Sequence, residues 1–334
     1  MSKQTPELSR AQRGSNATIN THEVLKVAAR HNCQQHKVEN VFFGLILLLF
    51  SAPDLMPRGS IIDAGAHDGI ESCHYAAVAP ERIIHAIDPL SLNIEVISRM
   101  ARRFHNIRPT LGGLGRHAAV LHVPKHKSRY GGQQISIAST NGVIPRDTLG
   151  VFNIMQGNLS TAHGQPFPVK RLDDQFAVDW PEETLGFAHF DVEGNELDVL
   201  IGGESIIRRD LPIFTVELVV HKDANYTTSL LDFMSHHLEY DVLLVEEECG
   251  LPLDCRNLMA IPRRRANLLA AILTRLDAFS RNGTITLVNS STIVNFAYPC
   301  CRSHAACCTN ARSCCTPSTV SAAYRLPKER RWLH

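Results

Sequence analysis

Apolar and polar positions follow two different periods through the middle of this chain. Short aliphatic runs bounded by turn residues (Ser60–Ala64, Arg82–Ile87, Gly186–Phe190, Ile213–Val219, Asp241–Val245 and Leu258–Ile261) predict strands. Ser72–Ala79, Leu92–Phe104, Glu196–Arg209 and Ser229–Tyr240 carry apolar residues at helical spacing and separate most of them. Strand and helix in turn predict an α/β fold, a parallel sheet with helices on both faces. From about 106 to 169 the helical signal lapses. There Val120–Val123 and Ile135–Ile137, split by Gly131-Gly132, predict an extended or hairpin insertion.

The two ends read differently from the middle. Residues 1–18 are polar and lack apolar period, which predicts a flexible tail. A helical extension is expected over 19–58. Within it Val41–Phe50 is apolar at every position except Gly44, yet a membrane span needs about 20 such residues. A buried helix is the expectation, with an anchor through 41–52 as the alternative. No apolar stretch follows Met1, so no secretory signal is expected and the cytoplasm is the expected location. The strand pattern closes at Ile261. This delimits a central domain at 59–262 and leaves 263–334 as an extension with one helix near 266–278, a short strand after Gly283 and no packed element beyond Pro299.

Composition supports a globular protein and adds one asymmetry. Of 334 residues 44% are hydrophobic and 20% charged, the balance of an ordinary folded domain. Lys and Arg number 34 against 33 Asp and Glu, a net charge of +1, so no global attraction to nucleic acid is expected. From Pro262 onward, however, 11 basic residues face 2 acidic ones, a local +9 that leaves −8 on the remainder. Cys300-Cys301, Cys307-Cys308 and Cys314-Cys315 fall in this basic end, at a spacing that matches no standard zinc set. The extension is therefore expected to be poorly structured, and no metal site is expected. Cys33, Cys73, Cys249 and Cys255 are scattered, which suits free thiols in a reducing compartment.

The segment with chemistry is Ile61-Ile62-Asp63-Ala64-Gly65-Ala66-His67-Asp68-Gly69-Ile70. A strand ends in a glycine turn and a helix begins, the place where open α/β sheets bind nucleotide-like ligands. A dinucleotide fingerprint needs glycine where His67 and Ile70 stand, so a nicotinamide-dependent oxidoreductase is disfavoured. A loop for S-adenosyl-L-methionine (SAM) has no pyrophosphate to approach, and Asp63 can face that ligand's ammonium and carboxylate end. Asp88 ends the next strand, twenty-five residues after Asp63, and a carboxylate there can accept both ribose hydroxyls. Its alternative is a cap for the helix after Pro89. Asp191 ends Phe187–Phe190 and should reach the same sheet edge, where clustered carboxylates raise one another's pKa. Its alternative is a cap for Glu196–Arg209.

In order along the chain, several segments resemble the FkbM-type SAM-dependent methyltransferases. They are Ile62-Asp63-Ala64-Gly65-Ala66-His67-Asp68-Gly69, Ile87-Asp88-Pro89, Arg171-Leu172-Asp173-Asp174, Phe190-Asp191-Val192-Glu193-Gly194-Asn195-Glu196 through Gly203, and Pro212–Glu217. The resemblance covers about Gly59 to Pro262. It implies a seven-stranded Rossmann-like methyltransferase sheet, SAM as cofactor, and O-methylation of a small-molecule or sugar acceptor. The chain departs from the pattern at His67, where the family usually has Asn, at Asp88, where it has Glu, and at His189, where Lys is common. The resemblance implies SAM binding by Asp63, Gly65, Ala66, His67, Gly69 and Asp88. Asp191, His189 and Glu193 are the candidate bases, and carboxylates near His189 are expected to raise its pKa. The His189 departure leaves a non-catalytic SAM-fold binding protein as the alternative.

Overall fold

The computed structural model describes residues 33, 40–50, 52, 54–123, 138–139, 165–192, 194–218, 224–246, 256–265, 267–273 and 285–288. The N-terminal tail, Ile135–Ile137 and the cysteine-rich end lie outside these residues, as do Cys249 and Cys255.

The predicted strands form one mostly parallel sheet. In chain order the strands are β1 (Ser60–Ala64), β2 (Ile84–Asp88), β3 (Ile107–Leu111), β4 (Gly113–Leu114), β5 (Ala119–Val123), β6 (Ala138–Ser139), β7 (Gln165–Lys170), β8 (Leu185–Phe190), β9 (Ile213–Glu217), β10 (Tyr240–Glu246), β11 (Arg256–Pro262) and β12 (Ile285–Val288). The large sheet runs β12-β10-β11-β9-β8-β1-β2-β3. β11 is antiparallel to both β9 and β10, whereas β1, β2, β3, β8 and β9 are parallel. The expected seven strands are thus β3 to β10 in this order, and β12 adds an eighth at the edge by pairing antiparallel with β10. The order reverses between β1 and β8, the kind of switch point where open α/β sheets place ligands at the strands' carboxyl ends.

Alternation within each strand divides the core into two layers. Ile61, Ile84, Ala86, Phe187, Ile213, Leu243 and Met259 face one side. That side is covered by α1 (Asn40–Phe50), α2 (Ile70–Val78), α3 (Ser91–Ala101) and a helical turn at 268–273. Ile62, Ile87, Ala188, Phe190, Phe214 and Val216 face the other side. There the cover is α4 (Leu172–Asp174, running into a wider π turn to Asp179), α5 (Glu196–Gly202), α6 (Glu204–Asp210) and α7 (Ala224–Asp232, running into a π turn to His237). The apolar run at 41–50 is a buried helix, with Phe42, Leu45, Ile46 and Leu49 fully enclosed. Among the described residues no helix is long and apolar enough to cross a membrane.

Four sequence expectations are corrected. The helix expected over Glu196–Arg209 is two helices meeting at Gly203, whose φ of −113° and ψ of 12° leave helical geometry, and both glycines there are packed against neighbouring chain. A Cβ on Gly202 would lie 2.1 Å from the Gly115 carbonyl, and one on Gly203 2.8 Å from Leu172 Cδ2. The 106–169 region contributes β3 to the main sheet as well as a second sheet, β4-β7-β5-β6. The packed core also runs past 262, since Leu268 and Ile272 are buried in it. Finally, Cys33 and Cys73 are joined by a disulfide with Cα atoms 5.8 Å apart, so these two are not free thiols.

Candidate functional site

The candidate site is built from three strand ends. Asp191 N–H donates to the Ala64 carbonyl at 2.9 Å, and Gly65 N–H donates to the Ile87 carbonyl at 2.9 Å, so the loops after β1, β2 and β8 are tied together. Gly65 has φ 85°, and a Cβ there would fall 1.7 Å from the Asp191 carbonyl oxygen. Only glycine fits both conditions. The turn closes with Gly69 N–H on the Ala66 carbonyl at 2.7 Å. His67 takes φ 47°, a left-handed conformation that Asn, Asp and His enter more readily than most side chains. This accounts for a histidine being tolerated where the resembling family has Asn.

Asp63, 1% exposed, is the more enclosed of the two strand-end aspartates on β1 and β2. Its side chain turns toward α2, where the Ser72 hydroxyl donates to Oδ2. Oδ1 is buried and has no partner among the described residues. Burial pushes the Asp63 pKa up to about 7, opposed by the Ser72 hydrogen bond and reinforced by the Asp88 charge. A buried carboxyl with an open oxygen suits a cationic or hydrogen-donating ligand group.

Asp88, 3% exposed, is organised differently. Its Oδ1 accepts from Leu90 N–H at 2.8 Å and from Asn93 Nδ2 at 3.0 Å, and its Oδ2 accepts from His67 N–H at 2.9 Å. Burial raises its pKa and these donors oppose the rise. A carboxylate has about four lone-pair sites in all, so one remains, on Oδ2. The His67 N–H would thus share Oδ2 with any ligand group that reaches Asp88. Asp88 approaches the helix-capping role given as the alternative only through the Leu90 N–H, just before α3, and the Asn93 side chain in its first turn.

The upward pKa shift expected at His189 is found at His67 instead. His189 lies in β8 on the α1 side, 5% exposed. Its Nδ1 is 2.9 Å from Thr215 Oγ1, and its ring is 5.0 Å from that of Phe42. Burial lowers its pKa to about 4. The expected upward shift from carboxylates does not occur, because the imidazole is desolvated and no carboxylate offsets that. His67, with 73% of its side chain exposed, is the histidine whose pKa is raised. The cause is Asp68 first, with Asp88 and Asp191 adding to it. The acidic cluster thus acts on the loop imidazole.

The loop after β8 is held by a residue that sequence reasoning passed over. Glu196 is fully buried at the start of α5. Its Oε1 accepts from Gly194 N–H at 2.9 Å and Val192 N–H at 3.2 Å, and its Oε2 accepts the Tyr226 hydroxyl at 2.7 Å. The Tyr226 oxygen in turn accepts from Leu197 N–H at 3.2 Å. The second glutamate of Glu193-Gly194-Asn195-Glu196 is the loop's keystone. The signal for it was the motif's helix-start spacing. Asp191 is half-buried at the head of this loop. Glu193 lies outside the described residues. Among the described residues no group of three or more His, Cys, Asp or Glu could hold a metal ion.

A mostly parallel sheet with one reversed strand, a switch point between β1 and β8 and a glycine turn opening α2 define a Rossmann-like α/β fold. Within it, the sequence model of the methyltransferase FkbM domain matches residues 63–250, more than half of the chain, and the protein belongs to that family. No curated protein matches the sequence. Among solved structures, methyltransferase FkbM from Methylobacillus flagellatus KT is 14% identical with a TM-score of 0.39, the match covering 71% of this chain and 59% of that one. This chain thus spans about three fifths of the Methylobacillus protein's length. Precorrin-6y C5,15-methyltransferase from Geobacter metallireducens GS-15 is 11% identical, covering 66% and 87%, with a TM-score of 0.35. Fibrillarin from Aeropyrum pernix, a complex with natively bound SAM, is 11% identical, covering 73% and 76%, with a TM-score of 0.35.

Proposed function

We propose that the protein is a SAM-dependent methyltransferase that methylates a hydroxyl of a small molecule or sugar. The observation that carries the reading is the buried Asp63 with its open Oδ1 at the β1/β8 switch point, beside Asp88 with its one open site. A cationic amino-acid group and a ribose hydroxyl are the chemistries these two oxygens accept. Asp63 would hold the ammonium end. Gly65, Ala66, His67 and Gly69 would form the turn around the ligand, and Asp88 Oδ2 would take one ribose hydroxyl. When bound, SAM supplies an electrophilic methyl group on a sulfonium.

The remaining work falls to positioning, with a base for the acceptor proton. Asp191 heads a loop braced by Glu196 and Tyr226, and we assign it the base role, with Glu193 next. His189 is neutral and enclosed at ordinary pH, and we assign it to sheet packing. Leu121, Phe167 and Val169 of β5 and β7 pack on Leu90 beside Asp88, and the Asn106–Val169 insertion is the proposed acceptor side.

Calorimetric titration with SAM, followed by methyl release over a panel of hydroxylated small molecules and sugars, tests the reading. SAM binding with turnover on at least one acceptor is expected, as is an Asp191→Asn variant that binds SAM but turns over at least a hundredfold more slowly. No SAM binding overturns the cofactor assignment. Binding without turnover on any acceptor favours a SAM-binding protein that does not catalyse.

A further inference from the structure

The loop after Asp88 is secured from outside the main sheet. α3 begins at Ser91, and its N-cap residue is Leu90, an apolar residue in extended conformation with no side-chain cap bond. The first N–H groups of a helix need acceptors from elsewhere. Leu90 N–H has Asp88 Oδ1. Both donors of Ser91, the N–H and the hydroxyl, go to Oε1 of Gln165, at 3.3 and 2.9 Å. Gln165 Nε2 completes the grip on the Pro89 carbonyl at 3.4 Å. Gln165 opens β7, in the second sheet, 74 residues beyond Ser91. The cap that α3 lacks locally is thus supplied by the insertion. Beside it the Leu90 side chain packs with Phe167 and Val169 of β7 and Leu121 of β5.

One polar and one apolar anchor therefore clamp the three residues that follow Asp88. Two of the three donors that orient the Asp88 carboxylate, Leu90 N–H and Asn93 Nδ2, stand on this clamped loop and the first turn of α3. A shift of the loop would rotate the carboxylate and move its one open lone pair.

We infer that Gln165 is a positioning residue for the nucleoside end of the cofactor site, which makes the start of β7 a support of that site. The inference rests on the SAM reading above. Its test is calorimetric titration of the full chain and of Gln165→Ala and Gln165→Glu variants with SAM and S-adenosylhomocysteine, each well below its own Tm. Hydrogen exchange over residues 88–94 is followed in parallel. Glutamate keeps the acceptor for both Ser91 donors.

The alanine variant is expected to bind both ligands roughly three- to tenfold more weakly, the range for one or two neutral hydrogen bonds. It should also exchange faster at Leu90 and Ser91, while the glutamate variant, which keeps the acceptor for Ser91 but loses the Nε2 donor to the Pro89 carbonyl, should fall between alanine and wild type in affinity. A purely structural role would lower the alanine variant's Tm and leave the affinities of the folded protein unchanged. Wild-type binding of SAM with equal affinity in the folded alanine variant overturns the inference. Failure of the wild type to bind SAM is a different result, which overturns the cofactor assignment and this inference with it.

Discussion

Asp63→Asn separates the stability of the site from its affinity. The Asp63 pKa is about 7 in the folded protein against an ordinary 3.8. The folded state therefore holds a proton that the unfolded chain has already released through most of that interval. By linkage, the stabilisation from this proton is fully present below the unfolded value and is lost as pH rises through the folded one. At roughly 1.4 kcal/mol per pH unit, the gap sets an upper bound of about 4 kcal/mol on the loss. In a domain of this size that corresponds to roughly 10 °C in Tm. Asparagine cannot ionise, so the difference in Tm between variant and wild type should move in the variant's favour from pH 4 to 7 and level off above. A buried amide that lacks a partner shifts that difference by a constant, so the slope with pH is the quantity to read. The groups facing Asp63 are Ser72 on α2, Asp88 on β2 and Asp68 in the turn. SAM affinity should change in the opposite sense, with the variant weaker at pH 8 because it has no charge to offer the ammonium. Thermal scans of both proteins at half-unit steps, with SAM titrations at pH 6 and 8, give the answer. A Tm difference that stays flat across pH 4–7 would refute the buried-acid account.

Asp88→Ala should weaken SAM binding roughly 10- to 100-fold, the effect of about 1.5–3 kcal/mol for a charged hydrogen bond. It should also lower stability in urea titrations by about 2 kcal/mol or more, because Asp88 satisfies two backbone N–H groups and Asn93. An unchanged Kd in a folded variant removes Asp88 from the site. Cys73→Ser opens a cross-link between residues 40 apart, for which the chain-entropy account gives a loss of up to about 4 kcal/mol. Equal unfolding midpoints of variant and wild type under non-reducing conditions would contradict the disulfide. Truncation after Arg265 removes Leu268 and Ile272 from the core as well as β12 from the sheet edge. It should cost about 3–5 kcal/mol for the two side chains alone, and unchanged urea stability would show that this packing contributes nothing.

Much of the architecture was legible because it is encoded locally. The short aliphatic runs from Ser60 to Ile261 and the helical runs between them specify a parallel α/β sheet, and a parallel sheet puts Asp63, Asp88 and Asp191 at one edge whatever the details. The apolar 41–50 run is likewise too short for a bilayer and too apolar for solvent, which leaves burial.

What the tertiary structure alone decided are the properties that depend on neighbours distant in sequence. β3, with its exposed positions and Pro109, reads as a loop until pairing with β2 at the sheet edge makes it a strand. His189 follows a strand's alternation, but whether its face met carboxylates or Phe42 depended on where α1 docked, and that docking turned an expected rise in pKa into a fall. Asp88 has a ribose-binding position by sequence, while His67, Leu90 and Asn93 decide how many of its lone pairs stay open. Cys33 and Cys73 look scattered until the chain before α1 returns to α2. Strand and helix period follow from side chains within a few residues, whereas pKa, lone-pair occupancy and cross-linking are set by atoms that only the folded chain brings into contact.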